Sequence, residues 1–137
     1  MPEYIRVSTV LPATPEQIYT AWMNSRQHTA MTGGAAKVTP RVGGKHTAWD
    51  GYIWGQTFEL EPYRRIVQSW RSTEFPSGSE DSRLVIQLWE IKGGTRLTLF
   101  HSNIPNGQGE KYRGGWRESY FDPMLQYFSR RAPRRRK

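Results

Sequence analysis

The sequence contains no cysteine, no long apolar run and little net charge outside its last few positions. Without cysteine among its 137 residues, the chain can form no disulfide, zinc–thiolate site or thiol nucleophile. No stretch reaches the roughly 18 apolar residues of a membrane-spanning helix. The first residues, Met1 to Val7, also lack the apolar core of a signal peptide. We therefore expect a cytoplasmic domain with one core, as a monomer or a homodimer.

The net charge of +8 comes mostly from the C-terminus. Six of the 20 basic residues occupy positions 130–137, so residues 1–129 carry 14 basic and 12 acidic side chains and a net charge of +2. A basic face on a folded domain would indicate nucleic-acid binding, whereas a short Arg-rich tail indicates it much less. We predict a domain over residues 1–130 and a basic tail over residues 131–137. The tail would aid solubility or bind anionic polymers or membrane surfaces weakly, with no specific nucleic-acid partner.

The order of the strand and helix patterns predicts an α+β fold. Alternation over Tyr4–Leu11 predicts a strand, and Thr14-Pro15-Glu16-Gln17 has the cap, first-turn proline and returning glutamine of a helix start. A second short helix is expected to end near Met31. Segments rich in glycine turns, aromatic residues and β-branched residues then predict six more strands, at Ala36–Val42, Lys45–Trp49, Tyr52–Leu60, Arg65–Ser72, Ser82–Ile91 and Thr95–His101.

The last part of the chain predicts one long amphipathic helix. From Glu110 to about Arg130, apolar residues recur every three or four positions, at Trp116, Tyr120, Phe121, Met124, Leu125 and Phe128. Pro123 predicts a kink or a lost backbone hydrogen bond within it. A curved antiparallel sheet of six or seven strands would wrap around this helix. Because a curved sheet and a straight helix do not fit perfectly, a pocket is expected between them.

The residues in this order resemble a known family, the homologues of the activator of the heat-shock protein 90 (Hsp90) ATPase. The resemblance is carried by the helix start at Thr14, by Gly43-Gly44, Asp50-Gly51 and Gly55, and by the segments Glu59-Leu60-Glu61-Pro62, Ile66-Val67, Trp70-Arg71, Thr95–Leu99, Ile104-Pro105, Gly115-Trp116 and Tyr120-Phe121. It covers nearly the whole chain except the basic tail. The family belongs to the START-like (SRPBCC, Bet v 1-like) superfamily, so the resemblance implies the helix-grip fold and a role in stress response.

The sequence departs from the pattern of this family at two positions. His46 stands where a phenylalanine is usual, and Trp54 stands where a small residue is common before Gly55. Both changes alter size or polarity on strands expected to border the pocket, so we expect an unusual pocket. The eukaryotic co-chaperone also has a separate N-terminal domain that makes much of its chaperone contact, and these 137 residues leave no room for it. Co-chaperone activity therefore carries over only weakly.

The pocket implies a non-catalytic protein that binds a small apolar or amphipathic molecule. The candidate lining residues are aromatic and histidine side chains with one adaptable methionine, namely Trp22, His46, Trp54, Trp70, His101, Trp116, Tyr120 and Met124. His46 and His101 would provide the polar contacts that set the orientation of the ligand. For any one tryptophan, simple core packing is the alternative interpretation.

The resemblance implies two further possible functions. One is a partner-binding module with a chaperone as its partner, which exposed apolar residues on the outer face of the sheet or at Ile104-Pro105 would favour. The other is a cyclase- or hydrolase-type enzyme using His46 or His101 with Tyr112 or Tyr120. The histidines lack metal-ligand spacing, no serine lies in a nucleophile elbow, and Gly107-Gln108-Gly109 is too short for a phosphate-binding fingerprint. We therefore expect no metal, no cofactor and no catalytic residue.

Overall fold

A computed structural model describes residues 1–131, which form one seven-stranded antiparallel sheet and a set of helices packed on its inner face. In chain order the elements are β1 (Glu3–Leu11), α1 (Pro15–Trp22), α2 (Ser25–Thr32), β2 (Lys37–Val38), β3 (Lys45–Ala48), β4 (Ile53–Glu61), β5 (Arg65–Ser72), β6 (Ser82–Ile91), β7 (Gly94–Ile104), α3 (Gly109–Trp116), a π-helical segment (Arg117–Phe121) and α4 (Asp122–Arg131). The predicted basic tail lies outside the described residues except for its first position, Arg131.

The strands follow the order β1-β7-β6-β5-β4-β3-β2, so the first strand, β1, forms one edge of the sheet and pairs with the last strand, β7. Every pairing is antiparallel. This curved sheet holding a C-terminal helix, with two short helices after β1, is the predicted α+β helix-grip fold. The fold prediction is confirmed.

The first helices begin where the sequence provides capping groups. The Thr14 side chain accepts a hydrogen bond from the Gln17 backbone N–H at 3.1 Å, and the Gln17 side chain accepts one from the Thr14 N–H at 2.8 Å. Asn24 caps α2 in the same way, accepting from the Gln27 N–H. Both ends satisfy N–H groups that have no partner within the helix.

The core lies between the inner face of the sheet and the helices. Leu84, Ile86 and Leu88 of β6 face inward beside Leu97 and Leu99 of β7, and all five are at most 4% exposed. From the helices, Trp116, Tyr120, Met124 and Phe128 pack against the same cluster. In the sequence, Leu84, Ile86 and Leu88 alternate with other residues, as do Leu97 and Leu99, and this pattern predicts that both rows face one core. The structure places both rows in one core.

The predicted strand at Ala36–Val42 is wrong over most of its length, because β2 covers only Lys37 and Val38. The chain turns immediately afterwards, where the Arg41 N–H bonds the Thr39 carbonyl at 2.8 Å. Pro40 has no N–H to donate to a neighbouring strand, so pairing with β3 stops there.

Candidate functional site

A cavity of about 400 Å³ lies between the β3–β4 turn and the C-terminal helices. Its volume is within the range of small-molecule sites in proteins. Most of its lining is aromatic, and the lining residues are Trp49, Tyr52, Ile53, Trp70, Lys111, Tyr112, Gly115, Trp116, Ser119 and Tyr120. The sheet and the helix both contribute, so the space is the one expected between a curved sheet and a straight helix.

The helical wall of the cavity follows from helical periodicity. Two rows with a spacing of four residues run side by side along one face, and they are Lys111, Gly115 and Ser119 beside Tyr112, Trp116 and Tyr120. Gly115 leaves an opening in this wall, because a Cβ added there would meet no atom within 4 Å. The volume of the cavity therefore depends on a residue without a side chain.

The helix changes its winding where it passes the cavity. Arg117–Phe121 is π-helical, and the Asp122 N–H bonds the Arg117 carbonyl five residues back. Pro123 follows directly and has no N–H of its own. The expected disturbance at this proline thus takes the form of a π-helical turn that carries Ser119 and Tyr120, and such turns are frequent at functional sites.

Trp49, which lines the cavity, lies in a turn whose backbone conformation is constrained. Trp49 and Asp50 both have positive φ angles, 51° and 57°, a conformation that large L-residues rarely adopt. The Trp49 ring packs on Gly34, where an added Cβ would lie 2.4 Å from a ring carbon. Turn and glycine together fix the position of this indole.

Glu74 connects two residues of the cavity wall across its opening. Its carboxylate accepts a hydrogen bond from the Tyr52 hydroxyl at 2.7 Å and forms an ion pair with Lys111. The Lys111 ammonium also lies 5.5 Å from the centre of the Tyr112 ring. These contacts hold the Lys111 ammonium at the solvent side of the cavity.

His101 lies beneath the cavity in a chain of three hydrogen bonds. The Trp116 indole N–H donates to His101 Nδ1 at 3.1 Å, so Nε2 carries the proton and donates to Ser82 Oγ at 2.8 Å. The Ser82 hydroxyl in turn donates to the Trp70 carbonyl at 2.6 Å. Burial lowers the pKa of His101 to about 3, so the ring is neutral at physiological pH.

His28 and His46 face a separate inner cavity of about 10 Å³, which is room for about one water molecule. His28 Nδ1–H donates to the Trp22 carbonyl at 2.9 Å, and Nε2 accepts from the Tyr120 hydroxyl at 2.8 Å. Burial lowers the pKa of His28 to about 4 and also lowers that of His46. Both rings are therefore neutral polar groups inside the core.

The structure brings some of the predicted lining residues together and separates others. Trp70, Trp116 and Tyr120 line the large cavity, and Trp22 and His46 line the inner one beside Trp70 and Tyr120. His101 and Met124 are fully buried and line neither cavity. Trp54 points away from both, because it alternates with the buried Ile53 and so lies on the outer face of the sheet.

Several lining residues escaped the sequence analysis. Trp49, Tyr52 and Ile53 flank the Asp50-Gly51 turn, and only the folded hairpin carries them to the helix. Lys111, Gly115 and Ser119 had a detectable signal, since each stands directly before an aromatic residue of the helical row. That spacing places them on the same face as Tyr112, Trp116 and Tyr120.

The histidines named as catalytic candidates do not line the large cavity. Within residues 1–131, no group of three or more His, Asp or Glu side chains could hold a metal ion. The enzyme hypothesis requires a histidine with a shifted pKa facing an open cavity. Here His28 and His46 face only the small inner space, and His101 lines neither cavity. Among the helices described, none is long and apolar enough to cross a membrane.

Comparison with known proteins identifies a matching family and curated relatives. Residues 12–129 match the family described as Activator of Hsp90 ATPase homolog 1-like protein. The human Activator of 90 kDa heat shock protein ATPase homolog 1 is 29% identical over 115 residues, which are 84% of this chain and 34% of that protein. The chain thus spans about a third of the length of the curated relatives it matches.

Solved structures show the same fold. An Hsp90 activator from Plasmodium falciparum has a TM-score of 0.82 at 24% identity, covering 92% of this chain and 96% of that one. CalU16 from Micromonospora echinospora has a TM-score of 0.78 at 23% identity, covering 93% of this chain and 77% of that one.

Proposed function

The chain belongs to the Activator of Hsp90 ATPase homolog 1-like family, and we propose that it is a partner-binding module of the co-chaperone type, with an Hsp90 chaperone as its partner. The observation that carries this proposal is the family match over residues 12–129. The proposal keeps the cytoplasmic location expected from the sequence and a role in stress response.

Exposed aromatic residues on the outer face of the sheet support a protein partner. Val10, Arg96 and Trp89 stand opposite one another on β1, β7 and β6, and Trp89 is 65% exposed. Tyr63, 45% exposed, borders the same open groove as Trp89 at this end of the sheet. We call Val10, Tyr63, Trp89 and Arg96 the Trp89 surface. Tryptophan, tyrosine and arginine are the residues most enriched at interface hot spots.

The other surface considered from the sequence, the Ile104-Pro105 loop, does not support a partner site. Ile104 is completely buried and belongs to the core. The apolar group of this loop is therefore used for folding, and the Trp89 surface is the better candidate for docking.

The test is stimulation of ATP hydrolysis by Hsp90 from the same organism, together with the dissociation constant measured by calorimetry. Wild-type protein should bind and raise the hydrolysis rate, and Trp89→Ala should weaken binding by about tenfold or more. Trp54→Ala is the matched control. Trp54 is also an exposed tryptophan on the outer face of the sheet, but it lies on β4 and outside the Trp89 surface. Absence of binding by the wild-type protein would refute the co-chaperone proposal.

A second proposed function, binding of a small apolar or amphipathic molecule, is supported by the aromatic cavity of about 400 Å³. Its test is native mass spectrometry of protein purified from its own host, which reports bound molecules and subunit number together. Gly115→Leu should fill the cavity and abolish the bound mass. Gly114→Leu, its exposed neighbour on α3 with equally open surroundings, should retain it.

A further inference from the structure

The large cavity combines aromatic walls with a single charged side chain. Of the ten lining residues within the described range 1–131, six are tryptophan or tyrosine, and Lys111 is the only one of the ten with a formal charge. Flat walls of this kind accommodate planar rings by stacking or edge-to-face contact. Whether the cavity favours an anionic, neutral or cationic ligand ring depends on the polar groups of the lining.

Several polar side chains of the lining already have hydrogen-bond partners. The Trp116 N–H and the Tyr120 hydroxyl both donate to histidines, and the Tyr112 hydroxyl is paired with Ser72 at 2.6 Å. The Trp49 indole Nε1–H is buried and has no hydrogen-bond partner. Within the part of the chain that the structure describes, it is the only such buried atom that belongs to the cavity lining, the others being Arg65 Nε, Ser79 Oγ and Gln108 Oε1.

An indole N–H can only donate, so the group that would satisfy Trp49 is an acceptor. Lys111 is also a pure donor, and its ammonium group has three N–H bonds. Its ion pair with Glu74 uses one of them, which leaves donors for a second partner. The Trp49 backbone is linked to Lys111 through two residues, because Glu74 bonds both Lys111 and Tyr52, and the Tyr52 N–H bonds the Trp49 carbonyl at 3.0 Å.

We propose that this cavity selects planar aromatic anions, such as aromatic carboxylates, whose ring packs against the aromatic walls and whose oxygens accept hydrogen bonds from Lys111 and Trp49. The inference rests on the second proposed function, small-molecule binding, and adds the chemical class of the ligand. A cation would gain from the aromatic rings but would face the Lys111 ammonium without a free carboxylate in the lining.

Three probes of one shape test the charge preference, namely 2-naphthoate, 2-naphthylmethanol and 2-naphthylmethylammonium. Their dissociation constants are measured by quenching of tryptophan fluorescence and by calorimetry at low salt. We expect the anion to bind about fivefold more tightly than the alcohol and the cation to bind most weakly. Lys111→Gln should remove the preference for the anion, and Lys92→Gln, an exposed lysine in the β6–β7 turn, should keep it.

A second variant tests the buried donor. Trp49→Phe keeps an aromatic ring but removes the N–H, and naphthoate affinity should fall by about tenfold, as for a lost hydrogen bond to a charged group. Folding of each variant is checked by near-ultraviolet circular dichroism.

The possible outcomes separate the inference from the function on which it rests. Equal binding of the three probes, or tighter binding of the cation, with loss of all binding in Gly115→Leu, would overturn the anion preference and leave small-molecule binding intact. No binding of any probe to the wild-type protein would overturn both. Binding unaffected by Gly115→Leu would place the probes elsewhere and would also overturn the proposal.

Discussion

At the scale of single residues, the histidines show how burial and hydrogen bonding together fix a protonation state. Each histidine of this chain has a ring nitrogen bonded to a backbone carbonyl or a buried side chain. His101 accepts from an indole N–H at one nitrogen and donates at the other, so an added proton would have no acceptor on the side of Trp116. The sequence predicted His46 and His101, but not His28, as polar contacts for a ligand, and in the structure all three are buried.

The lowered histidine pKa values predict a loss of stability in mild acid. Because the pKa values of His28 and His101 are about 4 and about 3 in the folded state and about 6.5 in the unfolded chain, the unfolded state binds more protons below pH 6.5. The contribution of these two histidines to the free energy of unfolding is therefore fully present above pH 6.5 and is lost progressively as the pH falls. Between pH 7 and pH 5 we expect the free energy of unfolding to drop by about 2 kcal/mol per histidine.

Urea denaturation at a series of pH values measures this effect. His28→Gln should destabilise the protein at pH 7 yet give a shallower dependence on pH, because one titrating group is gone. A profile that stays flat between pH 7 and pH 5 would contradict the assignment of buried neutral histidines.

Gly34 offers a second prediction at the residue scale. A methyl group at this buried position would press into the Trp49 ring, so we expect Gly34→Ala to cost about 1–3 kcal/mol of unfolding free energy. Gly114→Ala, on an open face of α3, should instead be neutral or stabilise by up to about 1 kcal/mol, because alanine favours helix. Thermal unfolding of both variants measures the contrast, and equal effects would argue against the Trp49 packing described here.

At the scale of elements, a π-helical turn joins α3 and α4 into one continuous C-terminal helix. A proline inside a regular helix costs about 3 kcal/mol, because its ring clashes with the preceding turn and its missing N–H breaks a hydrogen bond. Here Pro123 lies two residues after the end of the π-helical segment, in which the Asp122 N–H bonds the carbonyl five residues back. The wider turn accommodates Pro123 while Tyr120, Met124 and Phe128 remain packed on the sheet.

This arrangement predicts a small effect of removing the proline. Pro123→Ala should change the free energy of unfolding by less than about 1 kcal/mol, since the helix gains little and the unfolded chain gains freedom. Equilibrium denaturation in guanidinium chloride gives the value. A stabilisation near 3 kcal/mol would show that the proline strains the helix and that the π-helical turn does not relieve it.

At the scale of the whole molecule, the sheet uses its two faces differently. The inner face packs on the helices and borders both cavities, whereas the outer face exposes Trp54, Trp89 and the phenylalanine at the β4 bulge, Phe58. A chaperone partner on the outer face and a small molecule inside would therefore occupy separate sites. The two proposed functions are thus compatible within one domain.

Separate sites predict that a cavity ligand stabilises the fold without blocking the outer face. At 2-naphthoate concentrations 100 times its dissociation constant, the free energy of unfolding should rise by about 2.7 kcal/mol. Differential scanning calorimetry should show the rise in wild-type protein and in Trp89→Ala, but not in Gly115→Leu. Loss of the rise in Trp89→Ala would mean that the two faces do not act independently.

The sequence by itself determined most of the fold. Alternation fixed the inward rows of β6 and β7, the Thr14 cap fixed the start of α1, and the spacing of four fixed the aromatic face of the last helix, because each pattern depends on local backbone geometry. Only the tertiary structure decided the membership of the cavity wall. Trp49 reaches the cavity wall because its turn has positive φ angles and its ring packs on Gly34. Trp54 lies on the outer face, because alternation along β4 shows which residues share a face, but only the folded structure shows which face is covered by the core.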